Sequence, residues 1–85
     1  MEIRISQKAE RDLDAMDRSE RKSFLKHIEK ISALPPRRHL KFGLPFNVEE
    51  VGQGRIIYGI ESKTLFVLHC FAAHRDYEKW YQSFR

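Results

Sequence analysis

Apolar positions in the first third of the chain predict a short strand followed by two helices. Ile3 and Ile5 alternate with polar residues, which is the period of a strand with one buried face. Ser6 has the side chain of a helix N-cap, and Asp17 with Glu20 matches the capping-box pattern that begins a second helix. The apolar stripes of the two predicted helices are Ala9, Leu13 and Met16, then Phe24, Leu25, Ile28, Ile31 and Leu34.

The apolar period changes to two after Pro35 and Pro36, which end the second helix because neither can continue its hydrogen-bond ladder. Three strands joined by tight turns, an antiparallel meander, are predicted at residues 46–51, 55–60 and 64–71. The last predicted element is an amphipathic helix in residues 72–85, with its aromatic side chains at Tyr77, Trp80, Tyr81 and Phe84. We expect Trp80 and Phe84 to pack on the sheet.

The order strand, helical hairpin, meander, helix predicts an α+β fold in a single domain, residues 1–85. The first strand must join the meander, because alone it would leave its backbone groups unpaired. We therefore expect an N-terminal strand and helical hairpin packed on a twisted, mainly antiparallel four-stranded sheet, with a short C-terminal helix. The hairpin would cover one sheet face and leave the other partly open, where basic side chains could meet a nucleic acid.

Composition indicates a folded protein of a reducing compartment. The hydrophobic fraction is 41%, with six Phe, three Tyr and one Trp, enough for a core. Cys70 is the sole cysteine and lies in an apolar run, so we expect a buried thiol and no intrachain disulfide. We expect no signal peptide, and the longest apolar stretch, 65–71, is too short to span a bilayer. The predicted location is the cytoplasm.

The formal net charge of +4 is unevenly distributed. Residues 1–34 hold eight Lys and Arg against seven Asp and Glu, and residues 35–85 hold eight against five, so the basic excess lies in the second half. Glycine-rich phosphate loops, HExxH sequences and Gly-x-Ser-x-Gly elbows do not occur. The four histidines show no metal-ligand spacing with one another or with Cys70. We therefore expect neither a metal nor another cofactor.

Two basic features stand out in the second half. Arg37, Arg38 and Lys41 lie just before the meander, and they form either a solvated loop or a contact for an RNA backbone. Arg55 opens the central strand on the face of Ile57, where it must pair with a carboxylate, project to solvent or bind an anion. Its candidate ionic partners on the preceding strand are Glu49 and Glu50.

The segment after the last strand combines the residue types that metal-free RNA cleavage needs. His74 and Arg75 lie where the strand gives way to the helix, and Tyr77 and Tyr81 share one helix face. Either tyrosine could present a hydroxyl or a stacking ring, or pack in the core. Cleavage requires a base for the 2′-hydroxyl, cations for the phosphate and an acid for the leaving oxygen. His74 with Arg55, Arg75 and a tyrosine would meet these requirements.

These features together resemble the RelE/ParE superfamily of small toxins. The resemblance rests on the order of elements, on the Arg-hydrophobic-hydrophobic-Tyr strand in Gly54–Ile60, on the strand Leu65–Phe71, and on the basic turn and tyrosine-bearing helix that follow. It implies the toxin of a type II toxin–antitoxin system. RelE-like members cut mRNA in the ribosomal A site without a metal and are silenced by an antitoxin that wraps them. The family expectation is a monomer when free and a heterotetramer with antitoxin.

The resemblance also implies roles for individual residues. Arg55 would hold the scissile phosphate, and Arg75 would stabilise the transition state. Tyr81, favoured over Tyr77 by spacing, corresponds to the C-terminal tyrosine, and His74 fits relatives that use a histidine near this point. The candidate catalytic residues are thus Arg55, His74, Arg75 and Tyr81, and the candidate RNA-binding residues are Arg37, Arg38, Lys41 and Tyr77.

Two alternatives share the same fold. ParE-like members poison DNA gyrase and are not nucleases, and they usually lack the acid–base and C-terminal tyrosine set. A non-catalytic member would act only as a binding partner of its antitoxin. The presence of His74, Arg75 and Tyr81 favours RNA cleavage over both.

Overall fold

A computed structural model describes residues 1–33 and 46–83 of the chain. In chain order the elements are β1 (Glu2–Ile5), α1 (Gln7–Asp14), α2 (Arg18–Ala33), β2 (Asn47–Val51), β3 (Gly54–Glu61), β4 (Thr64–Phe71) and α3 (His74–Gln82). This order confirms the predicted α+β architecture. The predictions for Leu34, the two prolines, the 37–41 segment and Phe84 lie outside the described residues.

The four strands form one sheet in the order β1-β4-β3-β2. β1 joins the meander at its edge, as predicted, and runs parallel to β4, whereas the other pairs are antiparallel. The β3–β4 hairpin closes through Ser62 and Lys63, which both have positive φ, as in a type I′ turn. The β2–β3 hairpin closes through Gly52, whose φ of 59° suits a residue without a Cβ.

A bulge in β4 alters which of its side chains face each side of the sheet. Ile57 pairs with His69 and Tyr58 pairs with Val67, so Leu68 has no partner on β3. One extra residue reverses the alternation beyond it. Val67 and Cys70, three residues apart, therefore both face the helical hairpin, and Leu68 contacts the opposite face.

The helical hairpin covers one face of the sheet and forms with it the hairpin core. Its buried members are Ala9, Leu13, Met16, Phe24, Ile28, Ile31, Val51, Ile56, Tyr58, Leu65, Val67 and Cys70. The prediction that Leu25 belongs to this stripe is wrong, because its side chain is 40% exposed. One helical position rotates a side chain by about 100°, which moves Leu25 to the flank of α2 away from Phe24. Burial raises the pKa of the Cys70 thiol to about 12, as expected for an inert core cysteine.

Polar side chains fix the ends of α1 against the sheet. The Ser6 hydroxyl accepts from the Ala9 N–H at 3.0 Å, which confirms the N-cap, and donates to the Leu68 carbonyl at 2.8 Å. Asp12 accepts the Cys70 N–H at 3.0 Å. These two contacts satisfy β4 backbone groups beyond Val67, where β1 pairing has ended.

The α1–α2 connection is closed by reciprocal capping. The Glu20 N–H donates to the Asp17 carboxylate at 2.8 Å and the Asp17 N–H to the Glu20 carboxylate at 3.4 Å, which confirms the predicted capping box. The hydrogen bond from the Glu20 backbone lowers the pKa of Asp17. Arg21 donates to the carbonyls of Leu13 and Met16 at 3.0 and 3.2 Å, so it satisfies the C-terminus of α1.

The second face of the sheet carries α3, so it is less open than predicted. The α3 cluster consists of buried Phe46, Ile57 and Tyr77 with the partly buried Val48, Leu68, Phe71, Trp80 and Tyr81. Ile57 faces this cluster and its neighbours Ile56 and Tyr58 face the hairpin core, as strand alternation predicts. Within the described ranges, none of the helices has the length and apolar character needed to cross a membrane.

Candidate active site

The first turn of α3 brings the candidate residues to the second sheet face. Ala73 is extended, with φ −113° and ψ 135°, and its carbonyl accepts the N–H groups of Asp76 and Tyr77 at 3.1 and 3.3 Å. The helix thus begins immediately after β4 and its two alanines. Its sheet-facing side chains follow the i, i+3, i+4 spacing and are Tyr77, Trp80 and Tyr81.

Tyr77 is the most deeply buried residue of α3, only 6% exposed. This burial corrects the expectation that Tyr77 is free to stack on RNA, whereas Trp80 packs on the sheet as predicted and Phe84 lies outside the described residues. Helix α3 begins at His74, and this phase directs position 77 into the sheet. Trp80 is only half-buried, although it contacts Phe46 and Phe71 with ring centroids 5.0 and 5.7 Å apart.

Tyr77 also links the candidate residues to one another. The Arg55 guanidinium carbon lies 5.7 Å from the centroid of the Tyr77 ring, a cation–π contact. The rings of His74 and Tyr81 lie 6.0 and 6.2 Å from that of Tyr77. Burial raises the pKa of the Tyr77 phenol, and the charge of Arg55 acts in the opposite direction. At neutral pH Tyr77 therefore remains protonated, in the role of a spacer between Arg55 and α3.

Arg55 faces the α3 cluster, and its side chain is only 12% exposed. Its Nη1 donates to the carbonyls of Gly54 at 2.7 Å and Gly52 at 3.3 Å. Its Nη2 lies 3.8 Å from the exposed carboxylate of Glu50, and its Nε is buried without a hydrogen-bond partner among the described residues. The predicted ion pair with Glu50 is present but long, whereas Glu49 contacts His27 at 3.0 Å instead. Arg55 thus holds the β2–β3 turn against α3.

His74 and Arg75 are exposed on the first turn of α3. His74 Nε2 lies 2.8 Å from the carboxylate of Glu78, one turn later. An ionised carboxylate only accepts, so Nε2 carries the proton and Nδ1 is the basic nitrogen of the neutral ring. This arrangement leaves an oriented imidazole that can take a proton at Nδ1.

Arg75 has no ion-pair or hydrogen-bond partner within the part of the chain that the structure describes. A cation in the first turn of a helix opposes the helix dipole, and only Asp76 offsets it there. The position is therefore unfavourable for helix stability and favourable for binding an anion, since the positive end of the helix dipole and a guanidinium belong to the same turn.

Tyr81 lies one turn after Tyr77 and is half-buried at the edge of the α3 cluster. The structure thus groups Arg55, His74 and Tyr81 around the Tyr77 ring, with Arg75 next to His74 in the first turn of α3. The candidate RNA contacts Arg37, Arg38 and Lys41 lie outside the described residues.

His69 belongs to the same face, although no pattern of residues had assigned it to the site. Its ring stacks on that of Phe71 at 5.5 Å and lies 5.2 Å from that of Trp80. Burial lowers the pKa of His69, and its Nδ1 is buried without a partner among residues 1–33 and 46–83. The bulge at Leu68 places the ring there, and no residue pattern marks that bulge.

No cluster of three His, Cys, Asp or Glu side chains able to hold a metal occurs in the described ranges. The site itself offers imidazole, guanidinium and phenol groups.

The chain is similar to known proteins at the level of the fold. No protein-family model matches the chain, and no curated protein sequence matches it. Among solved structures, a chain of the toxin–antitoxin complex RelBE2 from Mycobacterium tuberculosis is similar with a TM-score of 0.66, over 82% of this chain and 94% of that chain. The chain has a RelE-like fold. Because the sequences are only 20% identical, the likeness concerns the fold, and the roles of side chains rest on their geometry.

Proposed function

We propose that this protein is the toxin of a toxin–antitoxin system and that it cuts mRNA on the ribosome without a metal. The RelE-like fold, shared with a chain of a toxin–antitoxin complex, supports the first part. The observation that carries the second part is the first turn of α3. There the exposed His74 imidazole is oriented by Glu78 beside the Tyr77 ring, and the neighbouring Arg75 is exposed without a partner among the described residues.

The proposed reaction begins with proton transfer to His74. Nδ1 takes the proton of the ribose 2′-hydroxyl, and the 2′-oxygen then attacks the adjacent phosphorus. The bond from phosphorus to the 5′-oxygen breaks, and that oxygen receives a proton from the Tyr81 hydroxyl. The products are a 2′,3′-cyclic phosphate and a 5′-hydroxyl. Glu78 holds the imidazole in the required orientation through Nε2.

Two arginines stabilise the charge that develops on the phosphate. Arg75 is the principal ligand, because it is exposed and without an ionic partner among the described residues. Arg55 adds charge through Nη2, whose contact with Glu50 is 3.8 Å long and leaves that carboxylate exposed. Such an ion pair contributes little, so a phosphate can replace it. Removal of one such donor costs about a hundred- to a thousandfold in rate.

The remaining partners of the proposed function follow from the same reading. The message or the ribosome would be contacted by Arg37, Arg38 and Lys41. Tyr77 would support the site from the sheet side of α3 rather than stack on RNA. The silencing partner would be a small antitoxin with acidic side chains that covers the basic first turn of α3. The site of action would be the cytoplasm, on mRNA in the ribosomal A site.

Induction of the protein in bacterial cells, followed by mapping of mRNA 5′ ends, tests the proposal. We expect discrete cuts inside translated codons, with 5′-hydroxyl ends, that disappear when the start codon of the message is removed. Growth arrest with intact mRNA and DNA breaks that depend on gyrase would replace the nuclease with a ParE-like activity. Normal growth would indicate a non-catalytic binding partner.

A further inference from the structure

The solvent-facing side of α2 carries a row of positive charges that the proposed reaction does not use. The row consists of Arg18, Lys22, Lys26 and Lys30, each four residues after the last and all exposed. We refer to these four residues as the α2 ridge. With Arg21 the helix holds five cations against the two carboxylates of Glu20 and Glu29, a net charge of 5 − 2 = +3.

The charges of the α2 ridge are not offset within the described part of the chain. Residues four apart on a helix are neighbours, and like charges at this spacing repel. No residue of the ridge has an ion pair there. Two other cations of the hairpin, Lys8 and Arg21, differ in this respect, since Lys8 pairs with Asp12 and Arg21 caps α1. The ridge therefore destabilises its own helix, and no contact among the described residues compensates for this. Such a pattern is typical of a surface that binds a partner.

The geometry of the ridge fits a nucleic-acid backbone. Twelve residues of helix at 1.5 Å each separate its ends by about 18 Å. A duplex presents one negative charge for about every 1.7 Å of its axis, so all four cations can meet phosphates at once. The ridge cations would replace counterions condensed on the duplex, and the release of these counterions would supply the binding free energy.

The residues around the ridge favour a duplex over an acidic protein. The exposed residues between the ridge positions are mostly polar, including Ser19, Ser23 and Glu29. Protein interfaces are depleted of lysine and need an apolar centre, and the exposed Leu25 lies on the flank rather than in the row. Helix α2 has no fully exposed aromatic ring on which unpaired bases could stack, because Phe24 is buried and His27 is partly buried against Glu49.

We propose that the α2 ridge docks the phosphate backbone of duplex RNA. The surface is separate from the candidate active site, because α2 covers one face of the sheet and α3 the other. Both can therefore be occupied together, with a structured RNA on one side and a message on the other. The inference goes beyond the proposed nuclease activity and does not depend on it.

Fluorescence anisotropy with a labelled RNA hairpin of 16 base pairs tests the ridge. The double variant Lys22→Gln/Lys26→Gln is compared with Arg4→Gln/Arg11→Gln, which removes the same charge from exposed positions outside α2. We expect the ridge variant to weaken binding roughly tenfold at 0.1 M salt and to reduce the slope of log K against log salt by about 2, with the control close to wild type. Circular dichroism checks that both variants fold.

Three results would overturn the proposal. Equal weakening by the two double variants would show that only net charge matters, and an unchanged affinity of the ridge variant would exclude the surface. If the ridge variant no longer binds a ten-residue polyglutamate peptide but still binds the RNA hairpin, the partner of the ridge is an acidic protein. A chain that binds the hairpin through the ridge but cuts no message would instead contradict the nuclease and leave the ridge standing.

Discussion

Asp12 should stabilise the bulged end of β4, and its loss should be costly. Its side chain is only 12% exposed, and its carboxylate accepts the N–H of buried Cys70 at 3.0 Å. In Asp12→Ala that N–H loses a charge-assisted hydrogen bond without access to water. We expect the free energy of unfolding to fall by about 2 kcal/mol, which lowers the Tm by roughly 10 °C in a domain of this size.

Three further variants separate the hydrogen bond from other effects. Asp12→Asn keeps an acceptor for Cys70 and should cost less than half as much. Asp14→Ala removes a carboxylate from an exposed position of the same helix and should change stability by less than about 0.5 kcal/mol. Lys8→Ala breaks the ion pair with Asp12, whose contribution is below about 1 kcal/mol because Lys8 is exposed.

Urea unfolding monitored by tryptophan fluorescence measures these differences, and amide hydrogen exchange at Cys70 reports the bond directly. Protection of that amide should drop in Asp12→Ala and persist in Asp14→Ala. If the two alanine variants have the same midpoint and the same exchange at Cys70, Asp12 does not anchor β4 and the reasoning fails.

Three other predictions concern the sheet. Burial lowers the pKa of His69 in the folded chain, so the unfolded chain binds a proton at this side chain at higher pH than the folded chain does. The free energy of unfolding should therefore fall as the pH drops below about 6.5. His69→Gln should flatten that pH dependence in unfolding titrations. Gly54→Ala places a Cβ 2.6 Å from the Phe24 ring and the Phe71 carbonyl and should cost about 2 kcal/mol, whereas Gly59→Ala, with open space around it, should be nearly neutral in the same denaturation experiment. Lys63→Gly relieves a φ of 62° and should raise the Tm slightly, stabilising by roughly 0.5 kcal/mol; a lower Tm would contradict the assigned turn.

The fold could be predicted from the sequence because its helices and strands are marked by local signals, such as caps and the period of apolar residues. The capping box at Asp17 and Glu20 and the change of apolar period after α2 both correspond to the observed boundaries. Strand alternation also predicted that the side chains of Arg55 and Ile57 lie on the same face of the sheet. These features depend on residues close together in the chain, for which the spacing rules hold.

The details of the site could not be predicted, because they depend on distant contacts. A single unpaired residue, Leu68, decides which side His69 faces, and no side-chain pattern marks it. The choice of Tyr77 over Trp80 as the buried anchor of α3 follows from where the helix begins after β4. From its place in the strand, Arg55 could pair with a carboxylate, project to solvent or bind an anion, and its attachment to the turn carbonyls becomes visible only in three dimensions.

The most direct test of the proposed nuclease measures cleavage of a defined message on purified ribosomes. The A site contains one chosen codon of the message and no tRNA. The comparison is between Arg75→Ala and Lys79→Ala, two exposed cations of α3 of which only the first is assigned to the phosphate. We expect Arg75→Ala to lower the single-turnover rate by about a hundredfold or more and Lys79→Ala to retain nearly the wild-type rate. A folded Arg75→Ala variant that cuts as fast as wild type, or a wild-type chain that does not cut at all, would contradict the proposal.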